Sequence, residues 1–147
     1  MTKEVIVAVK GLQFMEEQDN TPVEVITRGE YYYKNGKHYV IYEELMEGTE
    51  SPTKNVLKFY DDTLEITKKG AVNVHMMFEV GEKNVTYYYT PYGSILIGVE
   101  GKRIALSETD ERIEIQADYG MEVNYEYLAD CSITVCVTAP GAQDFHF

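Results

Sequence analysis

The stretch Tyr31-Tyr32-Tyr33-Lys34-Asn35-Gly36-Lys37-His38-Tyr39 constrains this chain more than any other. Asn and Gly accept positive φ, so Asn35-Gly36 between alternating residues predicts a β-hairpin closed by a type I′ turn. A two-residue turn also fixes the register: Lys34 faces Lys37, Tyr33 faces His38, Tyr32 faces Tyr39 and Tyr31 faces Val40. Neighbours in a strand point to opposite sides, so the tyrosine triplet must split between them. The side carrying Tyr31, Tyr33, His38, Val40 and Tyr42 is the more apolar and is expected to face inward. Tyr32, Tyr39 and Ile41 are expected to face outward.

The same two-residue period runs through the rest of the chain. Val5, Val7 and Val9 share one side of a first strand. "NVLKFYDD" and "TLEITKKG" flank a turn at Asp61-Asp62. Val72, Val74, Met76, Phe78 and Val80 form one side of the next strand. In "NVTYYYT" the apolar count places Val85, Tyr87 and Tyr89 inward and Tyr88 outward. Ile95, Ile97 and Val99 alternate with Leu96 and Gly98, and "KRIALSE" reads as a further short strand. Ile113, Ile115, Ala117, Tyr119, Met121 and Val123 give the cleanest alternation, followed by an expected helical turn over 125–129 and a last strand, "CSITVCV". The expectation is an all-β fold: one antiparallel closed β-barrel of about 8–10 short strands in up-and-down order. Closure also removes edges that a sheet rich in Tyr and Val would offer to other chains. One domain is expected over 1–147, with a tail at 139–147.

Charge narrows the partners. Lys and Arg total 13 against 25 Asp and Glu, a formal net charge of −12. Such a surface repels phosphate backbones, so neither nucleic acid nor an anionic membrane is expected as a partner. The N-terminal apolar run Val5–Val9 is too short for a secretory leader, and the cytoplasm is the expected compartment. Cys131 and Cys136 lie in one strand, where about 3.3 Å per residue sets their Cα atoms roughly 16 Å apart, beyond the reach of a disulfide.

The segments "RGEYYYKNGKHYVIYEE", "KGAVNVHMMFEVG", "YYYTPYGSILIGVEGKRI" and "IEIQADYGMEV" occur in an order and spacing that resembles the YwiB-like family of bacterial proteins. Its most specific pieces here are Gly70, Phe78, Gly81 and Thr90-Pro91-Tyr92-Gly93. The resemblance implies a calycin-like, lipocalin-like β-barrel over nearly the whole chain. It implies no reaction, since the family is a domain of unknown function. Two departures stand out. The family often carries Arg two residues before the glycine matching Gly70, where this chain has Lys68, and a Thr is common near the position of Gly101.

No residue set announces catalysis. His38, His75 and His146 are isolated, so neither a metal nor a cofactor is expected. The adjacent carboxylates Glu16-Glu17, Glu43-Glu44 and Asp61-Asp62 fall on opposite strand faces or in turns and do not converge. Glu44 is the odd acid, because it shares the inward side with Tyr42. Three functions therefore stand. The first is a binding protein for a small, partly apolar ligand in the lumen, lined by Tyr31, Tyr33, His38, Tyr42, Glu44, Tyr87, Tyr89 and Tyr119. A barrel of about eight strands is just wide enough to be filled by side chains or to hold one small ligand. The second is a structural or interaction module acting as a homodimer through Tyr32, Tyr39 and Ile41. The third is an enzyme with Glu44 and His38 as its lumen groups.

Overall fold

The computed structural model describes residues 3–11, 24–45 and 50–141. Ten strands follow one another: β1 (Glu4–Lys10), β2 (Glu24–Lys34), β3 (Lys37–Glu44), β4 (Thr53–Tyr60), β5 (Thr63–Lys69), β6 (Val74–Glu79), β7 (Lys83–Thr90), β8 (Gly93–Glu108), β9 (Arg112–Val123) and β10 (Glu126–Thr138). They form one antiparallel sheet in the order β6-β5-β4-β3-β2-β1-β10-β9-β8-β7. The sheet curls until β6 meets β7, giving a nearly closed barrel. Among the described residues no helix is long and apolar enough to cross a membrane.

Turn chemistry sets the register. Asn35 and Gly36 both adopt positive φ, at 55° and 78°. The predicted partners across β2 and β3 are found, from Lys34 with Lys37 to Tyr31 with Val40. Asp61-Asp62 also turns β4 into β5 in two residues, with positive φ at Asp61, pairing Tyr60 with Thr63. The expected helical turn at 125–129 is replaced by a hairpin turn at Asn124-Tyr125, where both residues have positive φ. "KRIALSE" is no separate strand. It continues β8 beyond a bulge between Gly101 and Arg103.

Alternation then fills the interior. Val5, Val7, Val40, Leu57, Phe59, Leu64, Ile66, Met76, Phe78, Ile113, Ile115, Tyr119, Ile133 and Val135 are all buried. Each such aliphatic or aromatic side chain contributes about 1.5–3 kcal/mol when taken from water, so these layers hold the barrel. Phe78 and Tyr119 meet edge to face across the interior, with ring centroids 4.8 Å apart.

The join between β6 and β7 has no continuous ladder. Asn73 and Tyr89 exchange two backbone hydrogen bonds, at 2.9 and 2.8 Å. Gly81 N donates to the Gly101 carbonyl at 2.9 Å, and Gly101 N to the Glu82 carbonyl at 3.2 Å. Between these ends the Asn84 side chain crosses the gap and donates to the Met77 carbonyl at 3.1 Å. Gly101 is required here, because a Cβ would overlap the Glu79 carbonyl.

Four inward assignments are corrected, those of Val85, Tyr87, Tyr89 and Tyr33. Tyr87 and Tyr89 are 51% and 52% exposed, whereas Tyr88 is 7% exposed and inside. The cause is the two-residue turn Pro91-Tyr92, which pairs Thr90 with Gly93 and therefore Tyr88 with Ile95. Cross-strand partners share a side, so Tyr88 goes in with Ile95 and Ile97. Tyr33 lies at 62% exposure, although it shares its side with buried Tyr31. It is one residue from the end of β2, where the strand outruns the packed interior. Val80, at the end of the β6 alternation, is exposed for the same reason.

Candidate functional site

Three places carry chemistry beyond packing. The first is the end of the barrel at the β2–β3 turn. His38 is buried and stacks on Phe59, with centroids 4.9 Å apart and planes 13° from parallel. Tyr33 packs edge-on against the same ring at 4.8 Å. The Tyr31 hydroxyl and His38 Nδ1 are 2.7 Å apart. Burial lowers the His38 pKa, an effect that Glu108 partly opposes. Burial, with the Glu108 charge and Tyr33, pushes the Tyr31 hydroxyl up to about 12. His38 is thus a neutral imidazole held by two rings and a phenol. Its ring is enclosed and its Nδ1 is engaged, which suits a satisfied interior residue.

The opposite end holds a buried polar cluster. Glu44, Asn55 and Lys68 are inward residues of three adjacent strands, brought together by the β3–β4–β5 register. Lys68 Nζ lies 2.7 Å from Glu44 Oε1 and donates to Asn55 Oδ1 at 2.6 Å. Asn55 Nδ2 donates to Glu44 Oε1 at 3.1 Å and to the Thr53 carbonyl at 3.3 Å. Lys68 is only 7% exposed, so its charge needs this partner. Tyr42 and Tyr88 flank the cluster. Burial first, and then the Glu44 carboxylate, raise both hydroxyl pKa values. A cation, a carboxylate and an amide converge here and satisfy one another, with two phenols beside them. The sequence singles out Glu44 and Tyr42. Lys68 enters only through the family comparison, where it keeps the positive charge of the usual Arg. The signal for Asn55 is a polar residue at an inward position ahead of Leu57 and Phe59.

Tyr119, the last of the expected lining residues, is buried in the middle of the core. Its hydroxyl makes no hydrogen bond among the described residues. Cys131 stands directly across the ladder. Burial and this thiol raise the Tyr119 pKa. Cys131 and Cys136 are both free thiols. Among the described residues no three His, Cys, Asp or Glu converge as metal ligands. His75 is exposed and pairs with Glu65 at 3.1 Å, while His146 lies outside the described residues.

The third place is on the outside. Along β7 to β10 the register sets Val85, Gly98, Glu122 and Tyr127 in one row. Tyr87 lies beside Leu96 in the next row, and Tyr89 beside Ser94 beyond it. Tyr87, Tyr89, Tyr92, Tyr125, Tyr127 and Leu128 are all exposed. The Tyr87 and Tyr89 rings are 6.0 Å apart. Gly98 makes this face shallow: Glu122 lies flat across it, so a Cβ there would stand 2.7 Å from Glu122 Cγ. Lys83 holds that carboxylate at 3.2 Å. The Tyr127 ring covers the second glycine, Gly120.

The expected outward pair behaves differently. Tyr32 and Tyr39 are opposed as predicted, and Tyr32 is exposed while Tyr39 and Ile41 are half-buried. Lysine ammonium groups lie near these rings, with Lys3 at 5.6 Å from Tyr32 and Lys58 at 5.7 Å from Tyr39.

A family model described as a domain of unknown function, DUF1934, matches residues 7–135. The uncharacterised β-barrel protein YwiB of Bacillus subtilis (strain 168) is 26% identical over 137 residues, covering 91% of this chain and 95% of that protein. A crystal structure of ywiB protein from Bacillus subtilis superposes with a TM-score of 0.76 at 21% sequence identity, over 93% of this chain and 92% of that one. That likeness extends to the fold.

Proposed function

The chain belongs to the DUF1934 family, a domain of unknown function, and from that premise we propose that it is a non-enzymatic interaction module. The barrel serves as a rigid scaffold, and the outer aromatic face of β7 to β10 is the surface that meets a protein partner. One observation carries this reading: Tyr87, Tyr89 and Tyr127 are exposed on the outer face of β7 to β10, and Tyr92 and Tyr125 are exposed in the turns that join these strands. Single exposed apolar residues need no explanation, but a cluster of large rings marks an interface. Tyrosine suits the task, since it presents a large rigid surface with a polar tip.

Support for a lumen ligand is weaker. Of its expected lining, Tyr33, Tyr87 and Tyr89 face solvent, and Tyr31, Tyr42 and Tyr119 are packed among core residues. An enzymatic reading would need reactive groups open to a substrate; His38 is buried and engaged, and Glu44, partly exposed, is held by Lys68 and Asn55. The test is native mass spectrometry of the gently purified full chain beside a Tyr87→Thr/Tyr89→Thr variant. The reading expects a bound polypeptide or subunit on the parent chain that is missing from the variant. A discrete adduct of a few hundred daltons, equal in both, would overturn it in favour of a lumen ligand.

A further inference from the structure

We infer that the outer face of β7 to β10 takes an arginine-bearing, basic segment of another protein, an assignment that rests on the interaction-module reading above. The argument is one of charge and ring chemistry. Three acids, Glu100, Glu122 and Asp130, lie on this face in or beside the aromatic rows, against two lysines, Lys83 and Lys102. Both lysines are already paired, Lys83 with Glu122 and Lys102 with Asp130, each at 3.2 Å. Glu100 is exposed and adds negative charge at the rim.

A guanidinium is the group that meets both halves of this surface. It is planar and weakly hydrated, so it lies over a phenol ring, and its fork of donors reaches a neighbouring carboxylate. Tyr87 and Tyr89, 6.0 Å apart on one strand face, offer two such rings in succession. Tyr127 offers a third across the row that holds Glu122. The β2–β3–β4 face shows the same pairing within the chain, with Lys58 set 5.7 Å from both Tyr39 and Tyr60. On that face the protein supplies its own cations. No cation of the chain is seen over Tyr87 or Tyr89 among the described residues.

The whole-chain charge selects the same class of partner. At −12, two copies repel as they approach, whereas a basic segment is drawn in. A second copy is therefore the less favoured occupant, and the experiment separates the two.

The probe is a fluorescent nona-arginine peptide, titrated into the full chain and three variants, with sedimentation velocity run on each protein alone. Tyr87→Thr/Tyr89→Thr keeps strand propensity and net charge but removes two rings. Tyr87→Phe/Tyr89→Phe keeps the rings. Glu100→Gln removes rim charge. The inference expects binding to weaken about tenfold in the threonine variant and to persist in the phenylalanine variant. It also expects a shallower salt dependence in the glutamine variant, and nona-lysine to bind more weakly than nona-arginine. Equal binding to the parent and threonine variant would show bulk attraction to an acidic protein and overturn the inference. A self-associating parent that turns monomeric on loss of the rings, with ring-independent peptide binding, would seat a second copy there; the inference then fails and the interaction-module reading survives. No peptide binding and no self-association overturns both.

Discussion

The Tyr31 hydroxyl stands 2.7 Å from His38 Nδ1, although Tyr33 and not Tyr31 is the residue opposite His38 in the ladder. The bond therefore runs diagonally across the hairpin and ties its inward side together at the barrel end. Burial keeps the His38 imidazole neutral below its ordinary pKa. The unfolded chain takes up a proton near about pH 6.5 that the folded chain refuses, so stability falls as pH drops below that value. Urea midpoints at about pH 7.5 and about pH 5.5 should differ in that direction. A His38→Gln variant should show a flatter dependence over the same interval; an unchanged slope would assign the loss to other groups.

Lys68 presents a different balance, because its buried charge is met by a carboxylate that retains some contact with water. Replacing Lys68 with Met leaves Glu44 without its cation. The cost should be about 2 kcal/mol, below the range for a fully enclosed pair because Glu44 is partly hydrated. Lys68→Arg, which preserves the charge, should cost less. Equilibrium denaturation of the two variants measures both, and a Met variant as stable as the parent would show that the pair contributes nothing net.

Two glycines make a graded comparison. A methyl group at Gly101 meets the backbone of Glu79, which cannot move without opening the barrel seam. At Gly98 it meets the Glu122 side chain, which can swing out at the loss of its pairing with Lys83. Gly101→Ala should lower stability by about 1–3 kcal/mol, and Gly98→Ala by clearly less. Thermal unfolding of the two single variants gives the order, and a reversed order would mean that the seam yields more readily than the outer face.

Alkaline titration should reveal two classes of tyrosine. Burial raises the hydroxyl pKa of Tyr31, Tyr42, Tyr88 and Tyr119, for Tyr31 to about 12. In the unfolded chain these groups ionise near about 10, so the native state loses stability as pH climbs above that point. Absorbance near the phenolate band should first rise gradually as exposed rings ionise. A cooperative step should follow, coinciding with loss of circular dichroism. One smooth curve with no such step would mean that the four hydroxyls reach solvent.

Tyr119→Phe removes a buried hydroxyl that makes no hydrogen bond among the described residues. Leaving such a group unmet costs about 1–3 kcal/mol, so the variant should match or exceed the parent in urea resistance. A clear loss would show that the Cys131 sulfur accepts a bond of real strength, and a Cys131→Ala/Tyr119→Phe double variant would measure it.

The hairpin around Asn35-Gly36 was legible because turn and alternation agree there. The β7–β8 hairpin held the same information in Pro91-Tyr92, but the apolar count of Val85, Tyr87 and Tyr89 points the other way. At the last strand of the sheet, the register passed on from Ile95 outweighs that count. Glu44 was visible as an acid on an inward side, yet its partners come from two further strands. Their convergence depends on successive registers rather than on any local pattern. The Asn84 bridge and the Gly101 contact join residues whose proximity arises only when the sheet closes. The outer aromatic face was hidden for a related reason: its rings come from β7, β10 and two turns, and each alone looks like an ordinary exposed tyrosine.

The strand order also bears on how the chain finds its shape. Every ladder joins strands adjacent in sequence, except the one between β1 and β10. Strands β1 to β6 and β7 to β10 can each assemble as a local meander, with little loop entropy lost at each step. The slow event is then the meeting of the two meanders along Ile6–Lys10 and Thr134–Thr138, the long-range ladder that unites both halves. The β6–β7 seam, held by a few scattered bonds, is the last part to close and the first to exchange its amide hydrogens.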